Sequence, residues 1–188
     1  MTTFRTAFVL AASLAASGAA FAQAAVIPAQ SQITFAAKEM GVPVEGRFGK
    51  WTASIAFDPK APEAGKVGFT IQTASASFGS PETDAEVPKP EWFSVAKFPT
   101  ATFASTAIKA KGAGHYDVAG KLTVKGTTKD VVVPIALAQA GGTTTATGQF
   151  AIKRNDFKIG EGEWADTSQV ADEVQVKFKI ALTGIAPL

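Results

Sequence analysis

Apolar and polar residues alternate without a break from Val174 to Leu182, with Val174, Val176, Phe178, Ile180 and Leu182 on one face and Lys177 and Lys179 on the other. A period of two belongs to a β-strand with one buried and one wet face. The same alternation recurs over Gln32–Lys38, Trp51–Phe57, Lys66–Thr73, Thr100–Lys109, His115–Val124, Lys129–Ala138 and Thr143–Lys153. Turn residues separate the runs at Asp58-Pro59, Gly112-Ala113-Gly114, Lys125-Gly126 and Gly141-Gly142. Gly46-Arg47-Phe48-Gly49 shifts the parity between the first two runs and reads as a bulge or bend. About eight strands in this order predict an all-β fold, an antiparallel sheet curled into a barrel of the size that holds one small ligand.

Two stretches break the pattern. From Phe78 to Pro99 the alternation stops and Pro81, Pro88, Pro90 and Pro99 appear beside the apolar group Trp92, Phe93, Val95 and Phe98. Pro90 to Ala96 is expected as a short helical turn lying across one end of the sheet, where a long loop could serve as a lid. A second irregular piece runs from Arg154 to Asp172.

The N-terminus is a different kind of segment. Arg5 precedes an apolar run over Ala7–Ala16, and Ala20-Phe21-Ala22 places small residues where a signal peptidase needs them. Residues 1–22 are therefore expected to be a secretory signal peptide cut after Ala22, leaving residues 23–188 as one periplasmic domain. The apolar run is too short to span a bilayer, so no stable membrane insertion is expected.

Charge and composition narrow the function further. Without Arg5, 17 basic side chains face 16 acidic ones, a balance that offers no clustered basic face and no nucleic-acid partner. The chain has no Cys and one His, so disulfides, thiolate chemistry and the common zinc sets are absent. No catalytic residue, metal or cofactor is assigned. The inward positions mix Phe35, Phe57, Phe69, Phe103 and Phe178 with Ala37, Ala53, Ala101, Gly120 and Gly148. Small residues facing large ones either interdigitate into a solid core or leave a tunnel, and composition does not separate the two.

The chain resembles a known family. Ser31-x-Ile33-x-Phe35, Met40-Gly41, Gly46-x-Phe48, Phe57-Asp58, Asp84, Trp92-Phe93, Lys97-Phe98-Pro99-x-Ala101-x-Phe103-x-Ser105-Thr106, Gly120-x-Leu122-Thr123, Gly126-x-Thr128 and Asp156-Phe157 stand in the order and spacing of the YceI-like polyisoprenoid-binding family. The resemblance covers Val26 to Leu182 and rests mostly on turn and packing positions. It implies a lipocalin-like barrel whose apolar bore holds a long-chain lipid such as a polyisoprenoid, an isoprenoid quinone or a fatty amide. The residues expected to line that bore are Phe35, Ala53, Phe57, Phe69, Trp92, Phe93, Ala101, Phe103, Leu122, Phe150, Val176, Phe178 and Ile180.

Glu39, Asp84, Glu86 and Arg154 are the expected head-group and mouth residues. Family members often carry His at the positions of Glu39 and Glu86, so two possible cations have become anions here. At a barrel mouth they would repel a phosphate and favour a neutral head; as loop charges they would be solvated and play no part. Arg154 is either a fork for a ligand oxygen or for Asp156, or one half of a surface pair.

Two other function classes stay open. Asp156, Glu161, Glu163, Asp166, Asp172 and Glu173 cluster in one segment, and paired carboxylates can hydrolyse glycosides. No Gly-x-Ser-x-Gly elbow is present, and Glu161 to Asp166 lacks EF-hand spacing. A protein-interaction or stress module with a solid core would need an exposed apolar patch, whereas the outward Thr70, Gln72, Lys121 and Thr123 are polar. A homodimer through a loop or strand edge is also open.

Overall fold

The computed structural model describes residues 23–188, so the expected leader lies outside the described residues. Eleven strands follow in chain order: β1 (Gln23–Val26), β2 (Gln32–Glu39), β3 (Val42–Phe48), β4 (Trp51–Ala56), β5 (Lys66–Gln72), β6 (Ala76–Ser77), β7 (Thr100–Gly112), β8 (His115–Val124), β9 (Thr127–Ala140), β10 (Thr143–Lys153) and β11 (Glu173–Thr183). Neighbours pair in the order β1-β4-β5-β7-β8-β9-β10-β11, and β11 pairs back to β1 through Ala25 with Thr183 and Val26 with Leu182. Eight antiparallel strands thereby close a barrel.

The ring is not closed by the first predicted strand. That strand, β2, pairs with β11 lower down, from Ala36 with Gln175 to Gln32 with Lys179, and carries β3 and β6 on its far side. Alternation missed β1 because four residues are too few to show a period. It missed β3 because Pro43 and Gly46 interrupt the strand signal; Pro43 pairs with Lys38 in the part of β3 that β6 does not reach. The segment read as a bend at Gly46–Gly49 is mostly this strand.

Where β11 changes partners, Ala181 is fully buried, at 0% exposure. Its carbonyl accepts from the Ile27 N–H at 2.8 Å, and its N–H donates to Ser31 Oγ at 2.9 Å. Ser31 Oγ in turn donates to the Ile27 carbonyl at 2.8 Å. One hydroxyl thus satisfies a main-chain group that neither β1 nor β2 reaches.

The two ends of the barrel differ. At one end Ala24, Ile55, Phe57, Ile108, Tyr116, Val118, Ile180 and Leu182 form a packed cluster. The other end is framed by the β2–β3 hairpin, the 73–99 loop, the β8–β9 turn and the 154–172 loop. The helix in the first of these loops is α1 (Pro81–Glu86), one segment earlier than expected, and residues 90–96 form turns. Ser80 caps α1 by accepting from the Thr83 N–H, Pro81 opens it, and Glu82 and Asp84 sit in its first turn.

Replacing Ser31 with Ala leaves the Ala181 N–H buried and unpaired, which costs about 2 kcal/mol and lowers Tm by about 4–8 °C. Ser31→Thr, which keeps the hydroxyl, recovers most of that loss in thermal unfolding followed by circular dichroism. An unchanged Tm in Ser31→Ala would show that the joint at Ala181 does not hold the ring.

Candidate functional site

The barrel encloses a cavity of about 510 Å³ with an overwhelmingly apolar wall, so the interior is not a solid core along its length. Its wall includes Phe35, Phe57, Phe69, Trp92, Phe93, Ala101, Phe103, Leu122, Phe150, Val176, Phe178 and Ile180. Ala53 does not reach it. That residue stands opposite Phe69 and borders a separate shallow groove with Thr52 and Ser54, because its single methyl is too short to pass the neighbouring ring.

Three of the wall aromatics owe their position to glycine. A Cβ on Gly46 would collide with the Phe35 ring, one on Gly120 with Phe103, and one on Gly148 with Phe178. Gly46 and Gly148 lie directly across the ladder from their rings. Each ring therefore occupies the place of the missing side chain on the adjacent strand, which keeps it against the wall. Phe35 also meets Phe48 at 5.0 Å and Phe78 at 5.2 Å, ring centre to ring centre, joining the sheet to the 73–99 loop.

Residues that are both exposed and on the cavity wall mark where it opens. They are Lys38 and Glu39 at the end of β2 and Glu82 and Thr83 on α1, with half-buried Glu86 beside them. Glu86 forms an ion pair with Lys89. Three carboxylates against two ammonium groups leave the mouth net acidic by one charge. Lys38, Glu82 and Thr83 were not anticipated, since the helix that carries the last two was placed elsewhere. Asp84 is not at the cavity. Its carboxylate accepts from Ser77 Oγ at 2.7 Å and the Phe78 N–H at 2.6 Å and so fastens the start of the loop.

Arg154 touches the wall but is neither a ligand fork nor a surface pair. It is 1% exposed. Nε donates to the Ala171 carbonyl, Nη1 to Ile159 and Gly160 carbonyls and to Asn155 Oδ1, and Nη2 to Val170 and Asp166 carbonyls. The guanidinium's donors are consumed by the 154–172 loop, which leaves none for a ligand. Burial pulls its pKa down, with nearby Asp172 opposing.

Lys125, whose side chain is 5% exposed, does the same between loops. Its Nζ donates to the Lys158 carbonyl at 2.7 Å, Glu161 Oε2 at 2.9 Å and the Glu91 carbonyl at 3.2 Å. The Glu91 carbonyl also accepts from the N–H groups of Gly160 at 2.8 Å and Glu161 at 2.9 Å. The next residue, Trp92, lies 5.5 Å from Trp164, ring centre to ring centre, and both are on the cavity wall.

Several carboxylates of this segment serve the loop. Asp166 accepts from the Ser168 N–H, Asp172 from the Asn155 N–H, and Asp156 lies 3.9 Å from Lys129. Among the described residues, no three His, Cys, Asp or Glu side chains are grouped to hold a metal, and no helix is long and apolar enough to cross a membrane.

The hydrogen bond and charge of Lys125 lower the Glu161 pKa below a glutamate's ordinary 4.5. A depressed folded-state pKa gives stability that is complete above the unfolded value and lost as pH falls through the folded one. Acidification below about 4.5 is therefore expected to loosen the junction of the two loops, read as faster exchange of the Gly160 and Glu161 amides relative to the sheet. Glu161→Gln should flatten that pH dependence, and a wild-type-like profile in the variant would remove Glu161 as its source.

The YceI-like domain matches residues 25–182. A UPF0312 protein of Pseudomonas syringae is 33% identical over 177 residues, covering 88% of this chain and 91% of that protein. The crystal structure of Burkholderia cenocepacia BcnA superposes with a TM-score of 0.81 at 43% identity, over 84% of this chain and 99% of that one. A polyisoprenoid binding domain from Saccharophagus degradans shares the fold at a TM-score of 0.65 and 15% identity, over 87% and 99% of the two chains. A match that runs from the strand opening the ring to the strand closing it has one meaning: this chain belongs to the YceI-like family.

Proposed function

We propose that this protein is a periplasmic carrier for a long apolar lipid, a polyisoprenoid, isoprenoid quinone or fatty amide, held in the bore with a neutral head group preferred. The observation that carries the reading is the cavity itself, apolar along its wall and opening between β2 and α1. A chain that buries ~10 methylene equivalents gains ~0.8 kcal/mol for each on leaving water, about 8 kcal/mol before the costs of association are subtracted, and each further methylene adds to that gain. Such a molecule is insoluble between two membranes, and the leader expected over residues 1–22 would deliver its sleeve to that compartment. The polyisoprenoid binding domain of Saccharophagus degradans, which has the same fold, supports the ligand class.

No catalysis is assigned. Of the carboxylates that a hydrolase would need, Asp156, Glu161, Asp166 and Asp172 are engaged in hydrogen bonds or ion pairs within and between loops, and Glu163 is exposed. The preference for a neutral head follows from the mouth, where one excess negative charge is solvated and so acts weakly.

Ala101 is buried on the cavity wall, and Thr102 beside it is exposed on the outer face. Ala101→Trp is expected to abolish uptake of a fluorescent prenyl chain while the protein stays folded, and Thr102→Trp to leave uptake unchanged. Equal uptake by both variants would rule out the bore as the binding site. A quinone is expected to bind about fivefold tighter than a prenyl phosphate of equal chain length, a gap that narrows in Glu39→Gln/Glu82→Gln. A preference for the phosphate, read by native mass spectrometry, would overturn the neutral head.

A further inference from the structure

We infer that the tip of the β2–β3 hairpin, Met40-Gly41-Val42, docks reversibly on a lipid bilayer, so that the cavity draws its chain directly from the membrane. The inference deepens the carrier reading and rests on it.

The tip breaks two local rules at once. Glu39 pairs with Val42, so Met40 and Gly41 form a two-residue hairpin loop, and both have positive φ, 47° and 81°. Asn-Gly and Asp-Gly are the sequences such a turn favours, because a larger side chain is strained in the left-handed region. Nor does Met gain from burial there. Met40 is 75% exposed and Val42 63%, the two highest values among the exposed large apolar residues of the described chain. A residue that suits neither its backbone nor its solvent points to a contact outside the folded chain.

The tip is both open and stiff. A Cβ on Gly41 would meet no atom within 4 Å. Behind the tip, the Met40 N–H donates to the Gln169 carbonyl at 2.7 Å, the Ala171 N–H donates to the Lys38 carbonyl at 2.8 Å, and Glu39 bridges to Val170. The 154–172 loop thus braces the hairpin, and the apolar pair is held out in water instead of folding back onto the barrel.

Size, charge and position set the occupant. A stable protein partner covers about 800 Å² and ~20–30 residues on each side. Here two apolar side chains stand among exposed Lys38, Glu39, Glu45 and Arg47, a patch too small for a second copy or another protein. A bilayer needs no matching surface and accepts single apolar side chains below its head groups. Those two cations are balanced by the two anions, so attraction to anionic lipid is not the source and a zwitterionic surface suffices. Lys38 and Glu39 adjoin the tip and lie on the cavity wall where it opens, so a membrane that touches Met40 is at the mouth.

The test uses the mature chain, phosphatidylcholine vesicles and a fluorescent polyprenol supplied either in those vesicles or from cyclodextrin. The wild type is expected to float with empty vesicles, and Met40→Asn/Val42→Ser to stay behind. The same variant should collect the polyprenol from vesicles at least about tenfold more slowly, with uptake from cyclodextrin unchanged. Met40→Asn alone, which suits the turn, should raise Tm while it slows collection from vesicles, a pairing that a purely structural Met does not give. Docking by the tip is overturned if the double variant floats and collects as the wild type does, or if flotation appears only when phosphatidylglycerol is mixed in. It is equally overturned if the wild type is a dimer that the double variant loses, which would give the tip to a second copy. In each of these cases uptake from cyclodextrin keeps the carrier reading intact. If the wild type takes up the probe from neither source, the carrier reading fails, and flotation alone then decides the docking.

Discussion

At Ala181 the edge of β11 passes from one partner strand to another, and the hydrogen bonds made there by Ser31 and Ile27 are what allow the sheet to close. A barrel has no free edge only if each strand is paired on both sides along its length. Here one side of β11 is served by β2 over Gln175–Lys179 and by β1 over Leu182–Thr183, so a gap between the two is built into the topology. Without a donor and an acceptor at that gap, a buried peptide group would be unpaired at the seam of the ring. The Pro28–Gln30 turn supplies both by bringing the flanking residues Ile27 and Ser31 against β11. The cavity depends on this seam, because an unclosed sheet encloses nothing.

A closed ring of eight strands is small enough that inward side chains would ordinarily fill it. The interior stays partly open because its largest residues are seated on glycines of neighbouring strands. Phe35 on Gly46, Phe103 on Gly120 and Phe178 on Gly148 replace bulk pointing inward with bulk lying along the wall. Toward the other end the same sheet presents Ile55, Ile108, Tyr116, Val118 and Leu182, which pack together. These same residues also border the cavity, so the bore runs on between them, and its exposed wall residues lie on the loop side.

Much of this was legible in the sequence wherever a periodic rule applied. Parity assigned Val174, Val176, Phe178, Ile180 and Leu182 to the inside, and all of them are on the cavity wall. It equally assigned Ala53, which does not reach the cavity, because parity gives the face of a strand and not the length of a side chain. The elements it missed are short or interrupted. β1 is too brief to show a period, and β3 contains a proline and a glycine that the strand signal penalises. The site residues in loops were read by residue type, and type misleads there. Asp84 and Arg154 carry the charges of a head-group site, yet both spend them within their own loops, Asp84 on the Ser77 hydroxyl and the Phe78 N–H and Arg154 on carbonyls from Ile159 to Ala171.

The way the loops are tied decides which part of the mouth yields. The 154–172 loop is held from within by Arg154 and from outside by Lys125, and its first turn buries Arg154 and Phe157. Moving it would expose two cations' worth of satisfied carbonyls and a buried ring. α1 buries none of its residues. It is fastened at Asp84 and, just beyond its end, by Val87 in the small cluster with Phe35 and Ala76. Local opening occurs where the fewest buried contacts are lost. Of the elements around the opening, α1 therefore has the least to lose on local opening, while the 154–172 loop stays clamped.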